Sequence, residues 1–262
     1  MRFIRYSLNS VVTYGILEPD NTVTPLEGDI LGRWTRRNEK VDFTGIHLLA
    51  PVRPPTIIAI GLNYTGHAME GGQPIPKAPI IFFKAITSVA DPGQPIMLPR
   101  MAPNEVDYEA ELVIVIGKQT RNVSEDNALD HVLGYTCGND VSARDCQLRL
   151  DVQWARGKSF DTFAPLGPWI ETNLDGGKCN IQCRLNGKTM QSSNTRDLIF
   201  NIPQLVSYSS KCMTLLPGTV IMTGTPSGVG FTRKPPVFLK DGDLVEVEIG
   251  DIGVLKNQVS KE

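Results

Sequence analysis

The sequence lacks the features that would assign it to a membrane, secreted or nucleic-acid-binding class. Its 26 basic and 28 acidic residues give a net charge of −2, so it has no basic excess for nucleic acid or anionic lipid. No apolar run approaches the roughly 20 residues of a membrane span. Residues 1–7 have neither the apolar core nor the cleavage site of a signal peptide. We therefore expect a cytoplasmic protein with no nucleic-acid or membrane partner.

Cysteine is too sparse and too irregular for a disulfide framework or a zinc site. The five cysteines are odd in number and include no CxxC pair. Cys179 and Cys183 lie four apart, but no histidine is near them in sequence to complete a zinc-like set. We therefore expect free, mostly buried thiols in a reducing compartment.

The composition that remains is that of an ordinary globular enzyme, with 41% hydrophobic and 21% charged residues in 262. This length is ample for a buried core. Residues 50–55 contain three prolines, which disfavour both helix and central strand. We place a boundary here and predict a small β-rich N-terminal domain over residues 1–52 and a larger domain over residues 53–262.

Short apolar segments bounded by turn residues predict a chain built mostly of strands. The clearest are residues 11–17, 22–26, 56–61, 80–84, 96–99, 134–141, 220–222 and 241–250. Helical patterns are shorter: residues 63–70 with Asn63 as N-cap, residues 124–133, residues 142–153, and a helix within 193–208. We therefore predict a mixed α+β fold dominated by strands, a β-roll or barrel with short helices rather than a doubly wound sheet.

Residues 106–117 begin acidic and end apolar, which predicts a single strand closed by Gly117. Residues two apart share a face of a strand, so Asp107, Glu109 and Glu111 are expected to point the same way, with neighbouring Cβ atoms about 6.5–7 Å apart. Their mutual repulsion would be offset by a hard divalent cation, which prefers carboxylate oxygen. A solvated strand end is the alternative, and this stretch alone does not decide between them.

His67 and Glu70 lie three apart on a predicted helix, so they share a face. A carboxylate beside an imidazole holds its tautomer and lets it act as a general base. The alternative is the polar face of a surface helix. The base is favoured because the chain has only three histidines and a loop rich in glycine and proline follows this one.

Further candidates lie on the second half of the chain. Asp140 ends an apolar strand and is either a third metal ligand or a helix N-cap. Arg144 and Gln147, three apart, could bind a substrate carboxylate or carbonyl, or form a solvated helix face. Lys158 could stabilise an enolate or oxyanion, or be a surface lysine.

A glycine-rich segment at residues 224–230 follows a predicted strand. It could present the Thr225 hydroxyl and backbone N–H groups to an anion. The alternative is an ordinary tight turn, since the segment lacks the sequence of a P-loop.

Five of these motifs occur in an order that resembles the fumarylacetoacetate hydrolase family, in its form with one catalytic domain. They are residues 63–70 (NYTGHAME), 106–112 (VDYEAEL), 138–145 (GNDVSARD), 157–161 (GKSFD) and 224–230 (GTPSGVG). The resemblance extends from about residue 55 to the C-terminus, which makes residues 53–262 the expected catalytic domain. It implies a β-roll or barrel, a Mg2+ or Mn2+ site, and a homodimer.

The resemblance also assigns roles to individual residues. It implies that Glu109, Glu111 and Asp140 bind the metal, which leaves Asp107 a structural acid. It implies that His67, Glu70 and Lys158 are catalytic, with the dyad on a mobile lid. The positions implied to face the substrate are Lys84, Arg144, Gln147 and Thr225.

The implied function is a divalent-metal-dependent reaction of enolisable 2-oxo acids through a metal-bound enolate. Hydrolytic C–C cleavage of an acylpyruvate-type substrate is the first expectation. Oxaloacetate decarboxylation or tautomerisation and isomerisation of a 2-hydroxydienedioate share that enolate and are the alternatives. A non-catalytic binding protein of the same fold is a further alternative, disfavoured because all of the site residues are present.

Overall fold

The computed structural model describes residues 1–262 and consists mainly of strands, which confirms the predicted β-dominated α+β fold. The first ten strands are β1 (Arg2–Leu8), β2 (Val11–Leu17), β3 (Thr22–Gly28), β4 (Trp34–Arg36), β5 (Val41–Asp42), β6 (His47–Leu49), β7 (Ile57–Gly61), β8 (Ile80–Lys84), β9 (Val89–Ala90) and β10 (Ile96–Leu98). The remaining ten are β11 (Val106–Asp107), β12 (Ala110–Ile116), β13 (Val132–Asn139), β14 (Ser142–Ala143), β15 (Ala164–Glu171), β16 (Asn180–Leu185), β17 (Lys188–Asn194), β18 (Val220–Met222), β19 (Leu244–Ile249) and β20 (Gly253–Lys261).

Helices are few and short. The α-helices are α1 (Thr65–Glu70), α2 (Ala155–Lys158) and α3 (Ile202–Cys212), and Cys146–Leu150 forms a π-helical turn. Five 3-10 turns cover Phe43–Gly45, Ile86–Ser88, Ala128–His131, Gly176–Lys178 and Thr195–Asp197. None of these helices is long and apolar enough to cross a membrane.

Most strands join one large sheet with the order β4-β3-β2-β1-β15-β13-β12-β18-β7-β8. A five-stranded sheet has the order β10-β20-β19-β16-β17, and β11 pairs with β14 alone. The first strands enter the large sheet through antiparallel pairing of β1 with β15. Residues 1–52 thus extend the same sheet as the rest of the chain, and the boundary at residue 52 stays a prediction.

Strand β12 is buried on both faces, which explains its unbroken apolar sequence. Leu112, Ile114 and Ile116 face the larger hydrophobic core, while Val113 and Val115 face a second core. Side chains alternate across a strand, so each face contributes to a different core. This rigid central strand carries Glu111 near its beginning.

The predicted single strand over residues 106–117 is wrong in one respect, because it is interrupted. Strand β11 ends at Asp107 and β12 begins at Ala110, so Tyr108 and Glu109 lie between two strands. Strand β11 pairs with β14, whereas β12 pairs with β13 and β18. Since the two strands belong to different sheets, the alternation argument does not extend from Asp107 to Glu111.

Two predicted helices are longer than the helical turns that form. In the segment 142–153, residues 142 and 143 form β14 against β11, and residues 144–150 are helical. In the segment 124–133, only Ala128–His131 is helical. Here residues 132 and 133 belong to β13, which pairs with β12. Tertiary pairing overrides local helix preference in both places.

The N-cap predicted for α1 is wrong as well. Asn63 is fully buried, and its amide donates to the carbonyls of Phe200 and Thr223 instead of capping the helix. The helix predicted within 193–208 begins at Ile202 after a capping box of Asn201 and Gln204 and extends to Cys212. All five cysteines are free and only Cys212 is exposed, as predicted.

Candidate active site

A cavity of about 460 Å3 brings together residues that lie far apart in sequence. Eight of the ten predicted site residues line it: His67, Glu109, Glu111, Asp140, Arg144, Gln147, Lys158 and Thr225. Glu70 contacts His67 from outside the lining. Lys84 lies behind Asp140.

Strand pairing places the acidic residues. Glu111 is the second residue of β12 and pairs in register with Gly138 of β13. Glu109 lies in the interruption before β12, where its N–H donates to the Asn139 side chain at 2.9 Å. The carbonyl of Glu109 accepts from the N–H of Asp140 at 2.9 Å. These bonds tie the end of β13 to the break before β12.

Glu109, Glu111 and Asp140 form a buried carboxylate cluster. Each offers an oxygen atom, and the three atoms lie within 4.8 Å of one another. None of the three residues is more than 4% exposed. Carboxylates this close together and this well buried from solvent repel strongly unless cations lie beside them.

Three buried cations meet this cluster. Lys158 Nζ lies 2.8 Å from both Glu109 Oε2 and Asp140 Oδ2. Arg144 Nη2 lies 2.7 Å from Glu109 Oε1. Lys84 Nζ lies 2.5 Å from Asp140 Oδ1 and also donates to the Val141 carbonyl. Lys84 does not line the cavity and is enclosed behind Asp140, and its predicted substrate contact stays a prediction.

These cations leave one carboxylate without an ionic partner. Burial raises the pKa of Glu109, but Lys158 and Arg144 outweigh it and bring the pKa below its ordinary value. Burial, together with Asp140 and Glu109, holds the pKa of Glu111 well above its ordinary value. Its only hydrogen bond comes from the N–H of Gly224 at 2.8 Å.

The donor set fits a hard divalent cation. Counting Asp107, the site holds four buried carboxylates against the three cations Lys84, Arg144 and Lys158. Glu111 is the carboxylate left without a cation, beside the oxygens of Glu109 and Asp140. All three ligands are oxygen atoms, the preference of Mg2+, Mn2+ and Ca2+.

Asp107 does not line this cavity. Its carboxylate accepts from Arg144 Nε at 2.9 Å and from the N–H groups of Gly230 at 2.8 Å and Phe231 at 3.0 Å. The Arg144 guanidinium also stacks on the Phe231 ring, 4.4 Å from its centroid. Asp107 thus fixes Arg144, which in turn contacts Glu109.

The predicted dyad is formed on α1. His67 Nδ1 lies 2.9 Å from Glu70 Oε1, and the ring lines the cavity. Its Nε2 atom has no hydrogen-bond partner within the protein. The imidazole therefore offers one nitrogen to the cavity while Glu70 holds the other.

The glycine-rich segment and the three residues after it form one loop, residues 224–233, which we call the glycine-rich loop. This loop binds carboxylates of the protein itself. The N–H groups of Gly224, Gly228 and Gly230 donate to Glu111, Glu70 and Asp107 respectively. Gly228 has a φ of +107°, and a Cβ there would lie 2.2 Å from the Met190 carbonyl oxygen. Glycine is therefore required at residue 228 for both conformation and space.

Thr225 lines the cavity, but its hydroxyl is already engaged. It donates to the Ala110 carbonyl at 2.9 Å and accepts from Gln191 Nε2 at 2.7 Å. Gln191 also accepts from the N–H of Ala110, so it ties the glycine-rich loop to β12. Sequence reasoning missed Gln191, and an isolated polar residue in a strand carries no signal that would reveal it.

Two predicted residues keep hydrogen atoms free for a ligand. Gln147 Oε1 accepts from Arg144 Nη1, which leaves the Gln147 amide N–H groups unused. Lys158 donates two of its three ammonium hydrogens to Glu109 and Asp140. Both side chains line the cavity.

The rest of the lining was not predicted and is mostly apolar, with Gln73 and Asp151 as its polar members. Phe82 and Trp154 meet edge to face with centroids 5.4 Å apart, and Lys158 Nζ lies 5.2 Å from the Phe82 centroid. The Trp154 ring packs against Gly61, where a Cβ would lie 2.6 Å from it. Leu148 and Val152 also line this side. These residues form an apolar wall that only folding brings together.

Comparison with known sequence families gives two adjacent matches. The family described as "Fumarylacetoacetate (FAA) hydrolase C-terminal" matches residues 56–260. The family described as "Rv2993c-like, N-terminal" matches residues 1–51. The two matches meet at the proline-rich segment that suggested a boundary.

Individual relatives are similar over most of the chain. A fumarylacetoacetate hydrolase domain-containing protein 2 homolog of Dictyostelium discoideum is 51% identical over 85% of this chain and 77% of that protein. The mitochondrial oxaloacetate tautomerase fahd2 of Xenopus laevis is 49% identical over 82% of this chain and 69% of that protein. The crystal structure of a 5-carboxymethyl-2-hydroxymuconate delta-isomerase from Mycobacterium smegmatis covers 100% of both chains, with 40% identity and a TM-score of 0.90.

Proposed function

Because the chain belongs to the fumarylacetoacetate hydrolase family, as its five motifs predicted, we propose that it interconverts the enol and keto forms of oxaloacetate-type 2-oxo acids. The observation that carries this proposal is one cavity lined by three buried carboxylates, the Lys158 ammonium and the free Nε2 of His67. Relatives named oxaloacetate tautomerase, 46–49% identical, support tautomerisation over the other enolate reactions.

Glu109, Glu111 and Asp140 are the residues that would hold Mg2+ or Mn2+. When bound, such a cation acts as a Lewis acid that stabilises negative charge on the oxygens of a 2-oxo acid. The absence of an ionic partner for Glu111 supports this assignment, since a divalent ion would supply one.

Lys158 has the electrostatic role in this proposal. Its third N–H is free to donate to the substrate oxygen that gains negative charge on enolisation. Burial lowers the pKa of Lys158, but Asp140 and Glu109 raise it above the ordinary value. The group is therefore held as an ammonium ion, which is the form that donates.

His67 has the proton-transfer role. Glu70 accepts the Nδ1 proton, so the neutral ring keeps Nε2 unprotonated and directed at the cavity. From there Nε2 can take a proton from the carbon beside the ketone, and the enolate oxygen then takes a proton from water to give the enol. The reverse steps return the proton from His67 to the carbon. Gln147 has free amide hydrogens that could orient the distal carboxylate of an oxaloacetate-type substrate.

Hydrolytic C–C cleavage of an acylpyruvate is the second candidate, and it was the first expectation from the sequence. Two observations favour it. The free Nε2 of His67 could equally activate water, and the wall of Phe82 and Trp154 suits an acyl chain better than a carboxylate. Decarboxylation and dienedioate isomerisation use the same cavity and belong in the same test.

A substrate panel tests these alternatives directly. Oxaloacetate, acylpyruvates and a 2-hydroxydienedioate would be followed by ultraviolet absorbance with Mg2+, with Mn2+ and with chelator. We expect metal-dependent enol–keto exchange of oxaloacetate that exceeds hydrolysis of any acylpyruvate. Faster acylpyruvate cleavage would overturn the tautomerase proposal in favour of the hydrolase. Binding without turnover of any substrate would leave only the binding-protein alternative.

A His67→Ala variant in the same panel separates proton transfer from electrostatic stabilisation. We expect it to lose most of the exchange activity, because general base catalysis contributes about 100-fold or more. Metal binding should be unchanged, since His67 is not in the carboxylate cluster.

The homodimer and the cytoplasmic location remain predictions. Light scattering on the purified protein would test the homodimer.

A further inference from the structure

The two oxygens of Glu70 have different partners. Oε1 lies 2.9 Å from His67 Nδ1 within α1. Oε2 accepts from the N–H of Gly228 at 2.8 Å and from the Thr232 hydroxyl at 3.2 Å, both in the glycine-rich loop. One carboxylate therefore holds the imidazole with one oxygen and the loop with the other.

Glu70 is also the only side chain of α1 that hydrogen-bonds outside the helix. The helix has six residues and no side-chain N-cap. Helices this short have little stability of their own and depend on tertiary contacts. The contacts of Glu70 Oε2 are therefore the only side-chain hydrogen bonds from α1 to the body of the protein, while the backbone of Tyr64 attaches its beginning through pairing with Leu198.

The loop that receives Glu70 is itself firmly held. Arg233 Nη2 donates to the carbonyls of Met190 at 2.6 Å and Gly228 at 3.1 Å. Tyr108 donates its hydroxyl to the same Gly228 carbonyl at 3.2 Å. Because the loop is fixed from behind, it can fix the orientation of a side chain docked on it.

We propose that Thr232 is a positioning residue for His67, acting through Glu70. Its hydroxyl holds Glu70 in the orientation that keeps the His67 proton on Nδ1 when α1 is docked on the glycine-rich loop. The Thr232 hydroxyl also lies 3.1 Å from the Val229 carbonyl, so its one hydrogen is shared between two acceptors. The effect of removing it is therefore moderate. The role in turnover rests on the proposed function.

Thr232→Val tests the proposal because it keeps the shape and removes the hydroxyl. We expect kcat for enol–keto exchange to fall about fivefold, the effect of one weakened hydrogen bond to a charged group. Mn2+ affinity should be unchanged, and Thr232→Ser should restore the rate. Thr65→Val is the matched control, because Thr65 is exposed on α1 and its side chain makes no hydrogen bond.

The same substitution in a His67→Ala background separates positioning from general damage. If Thr232 acts through His67, Thr232→Val should lower the residual rate by less than about 1.5-fold in that background. A full fivefold loss in both backgrounds would overturn the proposal, since it would show an effect independent of His67.

Nitrogen-15 NMR of labelled histidine tests the proposal without any turnover. The chain has only three histidines, and His131, whose Nδ1 contacts Thr120, serves as an internal reference. For the neutral ring we expect Thr232→Val to lower the fraction of His67 protonated at Nδ1 and Thr65→Val to leave it unchanged. An unchanged fraction in Thr232→Val would overturn the proposal. A wild-type protein that turns over no 2-oxo acid would instead overturn the proposed function, and the NMR result would still decide this inference.

Discussion

The ammonium group of Lys84 lies 2.5 Å from Asp140 Oδ1 and has no exposed side-chain surface. Burial lowers the pKa of Lys84 from its ordinary value, although Asp140 acts in the opposite direction. Lys84 therefore belongs to the interior behind the cavity, where it fixes Asp140, one of the three clustered carboxylates.

Lys84→Met tests this structural role. Without Lys84, Asp140 keeps Lys158 as its only cation and the buried carboxylates lose one of three compensating charges, so we expect a loss of about 3 kcal/mol in unfolding free energy. Urea denaturation measures it. The Michaelis constant for substrate should change less than twofold in the folded variant. A stable variant with a strongly raised Michaelis constant would instead restore Lys84 as a substrate contact.

Glu111→Gln should have opposite effects with and without metal. The amide keeps the shape of the side chain, and its oxygen can still accept from the N–H of Gly224. It removes the one clustered carboxylate that has no ionic partner. We expect the metal-free protein to gain about 1 kcal/mol in unfolding free energy, because a neutral amide avoids the cost of burying or protonating a carboxylate there. Mn2+ affinity should fall by at least about tenfold. Denaturation without metal and calorimetric titration with Mn2+ measure the two effects, and equal Mn2+ affinity in variant and wild type would remove Glu111 from the ligand set.

Gly228→Ala tests the requirement for glycine in the loop. A Cβ at residue 228 would meet the Met190 carbonyl oxygen at 2.2 Å, so the loop must move and Glu70 loses an N–H donor. We expect a loss of about 3 kcal/mol in unfolding free energy together with most of the activity. Gly72→Ala is the matched control, since Gly72 also has a positive φ but no atom within 4 Å of its Cβ position. Gly72→Ala should lower the unfolding free energy by only about 1 kcal/mol. Similar losses in both variants would mean that backbone conformation alone explains the glycine.

Trp154→Ala tests the apolar wall as the limit on substrate length. The deletion enlarges the cavity beside Phe82, so longer acyl chains should be accepted. We expect the ratio of kcat/KM for a long-chain over a short-chain acylpyruvate to rise about tenfold. Trp154→Phe, which keeps most of the wall, should change the ratio by less than threefold. An unchanged ratio in Trp154→Ala would place the substrate chain elsewhere.

Much of the fold followed from local sequence. Strands β7, β8 and β18 are short apolar runs bounded by turn residues, and β12 is apolar because it is buried on both faces. The carboxylate cluster was also predicted, but the choice of Asp140 over Asp107 came from family resemblance. Strand periodicity treated Asp107, Glu109 and Glu111 alike, because it assumed one continuous strand.

Only the tertiary structure decided how these residues are partnered. The break at Tyr108 and Glu109 exists because β11 and β12 belong to different sheets, and it directs Asp107 to Arg144 and the glycine-rich loop. Lys84 and Thr225, both expected to face substrate, have their polar atoms engaged by the protein. Sequence determines which groups are available, since side-chain chemistry is local. Hydrogen bonds between strands and loops far apart in the chain determine which of those groups stay free to act.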